Sequence, residues 1–144
     1  MWLERLRSTR DERAAGVIRY VLGLVFISAG AMKLFVPMLA DAWSGQLLAA
    51  ELPFYTLTRW SVPIVEILIG VMLTAGYFVR LASLVVIGMM VVATYVHMVV
   101  DDPGLFPLQP SEPIIPLIVI GMAGYTLWRG GGAWSFDLKA WGRT

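Results

Sequence analysis

The chain has 144 residues, of which 58% are hydrophobic and only 15% are charged. Soluble domains usually carry about a quarter charged residues, so this composition indicates a small integral membrane protein with one domain, residues 1–144. A net charge of +1 argues against a nucleic-acid partner. The absence of cysteine excludes disulfides and iron–sulfur clusters within the chain, and the single histidine excludes two-histidine haem ligation.

Four apolar segments are predicted to be membrane-spanning helices, which need roughly 20 residues. They cover about residues 14–35, 60–78, 80–100 and 114–128. Backbone polar groups cannot remain unpaired in lipid, and the sequence lacks the alternating segments of a β-barrel. The predicted fold is therefore an all-α membrane protein, a four-transmembrane-helix bundle.

The first predicted span includes RYVLGLVFISAGAMKLF, residues 19–35, and it carries an unusual stripe. A 4-3-4-3 spacing places Arg19, Gly23, Phe26, Gly30 and Lys33 on one helical face. A helix surrounded only by lipid needs neither the two charges nor the two glycines. The basic flank and the AGA sequence are also typical of a cleaved signal peptide, but we expect a membrane span.

The connections between the spans differ in character. Residues 36–59 are long for a helix–helix loop. Within them, a stretch of helix-forming composition starts at Pro37, and proline is common at the first position of a helix. We expect an interfacial or re-entrant helix there, on the outer side of the membrane. The proline-rich segment 101–116 is predicted to be extended and stiff. The RGGG sequence at 129–132 is interpreted as a helix terminator with flexible glycines.

Small and polar residues also share one face in each of the other three spans. These are Pro63, Glu66, Gly70, Thr74 and Tyr77 in the second, Ser83, Ile87, Met90, Thr94 and His97 in the third, and Leu117, Gly121, Gly124 and Trp128 in the fourth. Small residues allow helices to approach closely in a bilayer, so we expect these faces to turn inward. The predicted helix-packing residues are Gly23, Gly30, Gly70 and Gly121.

The distribution of cations predicts the orientation. Apart from Lys33 and Arg59, the Lys and Arg residues lie in the N-terminal segment and first span, in the turn after the second span, or in the tail with its preceding helix end. Because cytoplasmic loops are enriched in Lys and Arg, we expect both termini in the cytoplasm. Lys33, Glu66 and His97 then lie together in the outer third of the bundle, with Thr94 nearby. Arg19, Tyr77 and Arg80 are predicted as structural or inner-end polar residues.

Glu66 is the costly residue, because a charge at membrane depth costs about 2.5–3.5 kcal/mol on insertion scales while Arg19 and Lys33 can snorkel. One interpretation is a structural ion pair of Glu66 with Lys33 or with His97. Another is a site for a small polar or quinone-like headgroup, contacted by Lys33, Glu66, His97 and Thr94, with proton exchange at Glu66 and His97. A third is snorkelling without contact. No metal site is predicted, since one histidine with scattered carboxylates lacks a ligand spacing.

Several stretches resemble the DoxX family. RYVLGLVFISAGAMKLF looks like the first-helix pattern of that family, VEILIGVMLTAGYFVRLAS like its second, and VATYVHM like the end of its third. GGGAWSFDLKAW is similar to its glycine-rich tail with Ser-x-Asp. The characteristic positions of the family fall on Arg19, Gly23, Gly30, Lys33, Glu66, Gly70, Arg80 and His97.

The resemblance implies a four-helix protein of the bacterial or archaeal cytoplasmic (inner) membrane. The family is named for a small subunit of a thiosulfate:quinone oxidoreductase, and other members are linked to redox or thiol stress. Some relatives use cysteines that this chain lacks.

The implied function is a membrane subunit or accessory factor of a quinone-linked redox system, and the chain itself need not be catalytic. Its expected ligand is a quinone without any covalent cofactor, and its expected partners are membrane lipid, a redox protein and further copies of itself. The alternative is a non-enzymatic bundle that assembles or stabilises a partner protein, or a small-molecule transporter.

Overall fold

The computed structural model describes residues 6–100 and 113–141, and this part of the chain is helical without any strand. In chain order the helices are α1 (Arg13–Phe35), α2 (Pro37–Ala49), α3 (Tyr55–Ala75), α4 (Val79–Val99), α5 (Ile114–Arg129) and α6 (Phe136–Trp141). The predicted all-helical class is confirmed. The loop predicted to be extended, residues 101–116, lies mostly outside the described residues.

Three helices, α1, α3 and α4, are long and apolar enough to cross a membrane, with mean hydropathies of 1.8, 1.5 and 2.1 over their most apolar windows. Helix α5 is also apolar but has only 16 residues. Helix α2 begins where the proline signal places it, with Pro37 at its first position.

Helix α3 ends earlier than the sequence predicts, because Gly76 adopts a left-handed conformation with φ of 73°. The backbone N–H of Gly76 donates to the Leu73 carbonyl (3.0 Å), and that of Tyr77 donates to the Met72 carbonyl (2.9 Å). These two bonds form a Schellman motif that satisfies the last carbonyls of the helix. Tyr77 therefore leaves the helical face that it was predicted to share with Glu66.

The closest helix contact joins α1 and α3, and glycines make it close. A Cβ atom built on Gly30 would lie 2.5 Å from the Pro63 carbonyl oxygen, and one on Gly70 would lie 2.7 Å from the backbone nitrogen of Ile27. Gly23 contacts the same helix at Thr74. Helix α4 packs against α5, and α2 contacts α1 and α3. The buried core between them includes Leu22, Phe26, Leu73, Val79, Val86 and Ala123.

The small-residue stripe of α5 faces outward, contrary to the prediction. Leu117 and Trp128 are 55% and 69% exposed, and a Cβ atom on Gly121 or Gly124 would meet no described atom within 4 Å. The buried face is formed instead by Pro116, Val119, Ala123 and Thr126. The assignment of Gly121 as a helix-packing residue is therefore wrong, because α5 presents small or apolar residues on both faces and packs through the other one.

The glycine-rich tail is a packed element. Gly130 ends α5 with φ of 84°, as the terminator interpretation predicts. However, all three tail glycines are buried. The backbone N–H of Gly132 donates to the Thr9 hydroxyl (2.9 Å), and a Cβ atom on Gly132 would lie 2.7 Å from the Glu12 carbonyl oxygen. The prediction of a flexible glycine tail is wrong, because the segment packs on the N-terminal part of α1 and the residues before it.

Candidate ligand-binding site

Lys33 of α1 and Glu66 of α3 form an ion pair, with 2.6 Å between Nζ and Oε1. The pair forms because Gly30, one turn before Lys33, brings α1 against α3; a Cβ atom on Gly30 would lie 3.1 Å from the Cβ of Glu66. The Lys33 side chain is 15% exposed and that of Glu66 only 5%. The ammonium group also lies 4.5 Å from the ring centroid of Trp43 on α2, a cation–π contact.

The second carboxylate oxygen of Glu66, Oε2, has no hydrogen-bond partner among the described residues. It is the only buried side-chain nitrogen or oxygen atom of those residues without one. Leaving a buried acceptor unsatisfied costs about 1–3 kcal/mol, and more when the group is charged. Such an atom in a folded protein calls for an explanation, and a ligand that donates a hydrogen bond provides one.

Glu66 opens into a cavity of about 500 Å³, within the range of roughly 300–1,000 Å³ that is typical of small-molecule sites. The walls are mostly apolar and come from α1 to α5, with Phe26, Met89 and Val119 among the lining residues. The polar and aromatic-polar lining residues are Lys33, Trp43, Gln46, Thr58, Glu66 and His97. An apolar cavity with a few polar groups suits an amphiphilic small molecule.

His97 of α4 is among the residues that line this cavity. Its Nδ1 lies 2.8 Å from the Ala93 carbonyl oxygen. Because a carbonyl oxygen only accepts, Nδ1 carries the hydrogen, and in the neutral ring Nε2 is then an acceptor. The ion-pair partner of Glu66 is Lys33, so of the two pairs considered from the sequence the structure contains the one with lysine.

Thr94 is not brought together with the other three candidate ligand-binding residues. It is not among the residues that line the cavity. Its hydroxyl donates to the Met90 carbonyl one turn earlier on the same helix (2.8 Å), a common way for a threonine within a helix to satisfy its hydroxyl. The prediction of Thr94 as a ligand contact is therefore wrong for this cavity.

Arg19 is buried at the opposite end of α1 from Lys33. Its guanidinium donates to the carbonyls of Gly131 (2.8 Å) and Ala133 (3.4 Å) in the tail. It also donates to the carbonyls of Leu73 and Thr74, in the last turn of α3. Carbonyls at a helix C-terminus lack intrahelical partners and attract cations. Arg19 thus joins α1, the end of α3 and the tail.

Arg80 and Tyr77 lie at this same end. Arg80 donates through Nε to the Ser8 carbonyl (3.0 Å) and through Nη2 to the Trp128 carbonyl (3.1 Å). The ring of Tyr77 lies 5.1 Å from the guanidinium carbon of Arg7. Both residues therefore contact the N-terminal segment, away from the cavity.

Two carboxylates at this end were missed as site residues. Asp137 accepts from Arg7 Nε (2.9 Å) and from the Val79 backbone N–H (3.1 Å). Glu12 accepts from the Tyr125 hydroxyl (2.5 Å) and pairs with Arg129. The hydrogen bonds from Tyr125 and then Arg129 lower the pKa of Glu12 below its ordinary value. The one sequence signal was the Ser-x-Asp of the tail, which ends at Asp137.

The described residues include three helices that are long and apolar enough to cross a membrane, and glycines pack two of them closely together. The chain is therefore a multi-pass helical membrane protein. The DoxX family model matches residues 14–98, which include nearly all of α1, the whole of α2 and α3, and nearly all of α4. The chain belongs to the DoxX family. Lys33, Glu66 and His97 all lie within the matched residues, whereas the tail lies beyond them. No curated protein and no solved structure gave a significant match.

Proposed function

We propose that this protein is a membrane subunit or accessory factor of a quinone-linked redox system, and that its cavity binds a lipid-soluble quinone. The observation that carries the proposal is the unpartnered Oε2 of Glu66 in the wall of an apolar cavity. A purely structural ion pair needs only one oxygen of Glu66, which Lys33 already contacts.

The residues present fit a quinone-type headgroup. Lys33 would donate to an oxygen of the headgroup, and Glu66 would accept from a hydroxyl group of its reduced form, with His97 beside them. The apolar walls would contact the ring and the tail. Such a ligand supplies two-electron chemistry when it is bound. Because the chain has no cysteine, thiol chemistry must come from a partner protein or from a soluble substrate.

We further propose four membrane spans in a single domain, with α5 as the fourth and α2 as a helix at the outer interface. At 1.5 Å per residue, α5 would extend about 24 Å, somewhat less than a bilayer core of about 30 Å. The bonds from Arg80 to Ser8 and from Asp137 to Gly76 bring the N-terminal segment, the α3–α4 turn and the tail to one end. We place that end in the cytoplasm, and the protein in a bacterial or archaeal inner membrane.

A second candidate function is the non-enzymatic assembly of a partner protein. The outward-facing Gly121 and Gly124 of α5 favour it, because small residues allow another membrane helix to approach closely. In this case the partner, rather than a quinone, would accompany the protein through purification.

The test is organic extraction of the purified protein followed by quinone analysis, on the wild type, Glu66→Gln and Glu51→Gln. Glu51 is an exposed carboxylate that does not line the cavity, so its variant is the matched control. We expect near-stoichiometric quinone in the wild type and in Glu51→Gln, and little in Glu66→Gln. A wild-type protein that carries a partner protein but no quinone would support the second candidate instead.

A further inference from the structure

Several hydrogen-bond donors in the cavity wall already have acceptors within the protein. The indole N–H of Trp43 donates to the Arg59 carbonyl (3.3 Å), and the Thr58 hydroxyl donates to the Pro53 carbonyl (3.3 Å). His97 Nδ1 donates to its own helix. These three side chains therefore direct their hydrogens at backbone carbonyls and away from a ligand.

Lys33, the cationic side chain of the cavity wall, already has partners for its charge, although its ammonium group carries three N–H donors. Its ammonium group contacts Glu66 Oε1 at 2.6 Å and the Trp43 ring at 4.5 Å. Gln46 carries both a donor and an acceptor, so it selects neither kind of ligand. Among the described residues, the one buried side-chain nitrogen or oxygen atom without a hydrogen-bond partner is an acceptor of this cavity, Glu66 Oε2.

From this imbalance we infer that the cavity selects an uncharged headgroup that donates a hydrogen bond, so that a quinone-type ligand is held in its hydroxyl-bearing, hydroquinone form. This inference rests on the proposed function. A quinone offers only carbonyl acceptors and cannot satisfy a carboxylate oxygen, whereas a hydroquinone offers two O–H donors.

The charge of the site argues for a neutral headgroup. Lys33 and Glu66 already compensate each other at 2.6 Å. An ammonium headgroup at Oε2 would lie close to the Lys33 ammonium group and be repelled by it. A phosphate or carboxylate headgroup would in turn be repelled by Glu66. A hydroxyl group meets neither penalty, and it can come from a hydroquinone or from an aliphatic alcohol.

Four probes of similar chain length test the inference on the full-length protein in lipid nanodiscs under anaerobic conditions. They are decylhydroquinone, its dimethyl ether, decylbenzoquinone and 1-dodecanol, compared at equal mole fraction in the lipid. A hydrogen bond to a charged group adds about 1.5–3 kcal/mol, or about ten- to a hundredfold in affinity. We expect the hydroquinone to bind about ten- to a hundredfold more tightly than the ether and the quinone.

Two variants test whether Glu66 is the source of the preference for a hydroxyl-bearing headgroup. In Glu66→Gln the ratio of hydroquinone to ether affinity should fall to within about threefold, since a neutral acceptor forms a weaker bond. In Glu51→Gln the ratio should stay at the wild-type value. Because the wild-type ratios alone decide the inference, a poorly folded Glu66→Gln sample does not remove the test.

The outcomes separate this inference from the proposed function. Equal or tighter binding of the quinone relative to the hydroquinone would overturn the donor requirement and leave the proposed function in place. Failure of all four probes to bind would overturn both. Dodecanol binding as tightly as the hydroquinone would support the hydroxyl requirement and overturn the quinone assignment.

Discussion

Asp137, in the C-terminal part of the chain, accepts a hydrogen bond of 3.1 Å from the backbone N–H of Val79, the first residue of α4. The first N–H groups of a helix have no intrahelical partner, and a carboxylate also interacts favourably with the helix dipole there. The other oxygen of Asp137 contacts Arg7 at 2.9 Å. A single buried side chain thus joins the tail, the N-terminal segment and the start of an apolar helix.

Replacing Asp137 should therefore destabilise the whole fold. We expect Asp137→Ala to lower the free energy of unfolding by about 2 kcal/mol, since it removes both a helix cap and a charge-assisted hydrogen bond. Asp41→Ala, on the exposed face of α2, is the matched control and should have little effect. Melting temperatures in one detergent provide the measurement, and equal values for the two variants would show that the contacts of Asp137 do not stabilise the fold.

The glycines of α1 and α3 should tolerate no larger side chain. Gly30→Leu and Gly70→Leu place new atoms against the backbone of the facing helix, and overpacking of this kind costs about 1–3 kcal/mol. Gly121→Leu is an internal control, because its surroundings among the described residues are open. We expect clearly lower melting temperatures for the first two variants alone. Comparable destabilisation by Gly121→Leu would mean that α5 packs through its glycine face after all.

Stability should depend on pH through Glu12. Its pKa in the folded state is lowered by the hydrogen bonds from Tyr125 and Arg129, so its stabilising effect is present above the unfolded-state pKa of about 4.5. That effect is lost as the pH falls through the lower folded-state value. As the pH is lowered below about 4.5, the melting temperature of the wild type should fall more steeply than that of Glu12→Gln.

Tyr125→Phe provides the control for this pH dependence. It removes the hydrogen bond that lowers the pKa of Glu12 most but keeps the carboxylate. Its acid sensitivity should therefore lie between those of the wild type and Glu12→Gln. Identical slopes for all three proteins would show that the contacts of Glu12 do not stabilise the fold.

The orientation can be tested directly, because the chain has no cysteine to give a background signal. Lys139→Cys lies in α6 with the tail, and Asp41→Cys lies on α2; both positions are exposed. In intact cells, we expect a membrane-impermeant thiol reagent to label Asp41→Cys and not Lys139→Cys, which should react only after the cells are opened. The reverse labelling would invert the proposed topology.

Sequence reasoning succeeded within regular helices, where the spacing of residues along the chain determines which face of the helix they share. Gly30 and Lys33 lie one turn apart, and Glu66 follows Pro63 in the same way, so their faces could be inferred before their contact was known. It failed on α5, where both faces are small or apolar and the composition does not indicate which one packs.

The contact between Asp137 and Val79 could not be predicted for a different reason. It joins residues 58 positions apart, and only the tertiary fold brings them together. Tyr77 was wrongly predicted to share a helical face with Glu66, because a single left-handed residue, Gly76, ends the helix before Tyr77.

Variants of Lys33 and Glu66 distinguish a structural role of this ion pair from a role in ligand binding. Lys33→Met would leave a carboxylate that is 5% exposed without its cation, and breaking a buried pair in this way costs about 3–5 kcal/mol. Glu66→Gln should cost less, because the Lys33 side chain is more exposed and keeps its contact with the Trp43 ring. The double variant leaves no unpaired charge, so it should recover most of the stability lost in Lys33→Met.

These variants should rank differently in quinone content than in stability. Glu66→Gln and the double variant both lack the charged acceptor at Oε2, so both should lose extractable quinone, including the double variant that is close to wild type in stability. Unfolding in detergent and quinone content must be measured on the same preparations, since an unfolded sample loses ligand for trivial reasons. A stable double variant with wild-type quinone content would reduce Glu66 to a partner in a structural ion pair. A folded Glu66→Gln variant without quinone would place the carboxylate in the binding site, because Lys33 is unchanged in that variant.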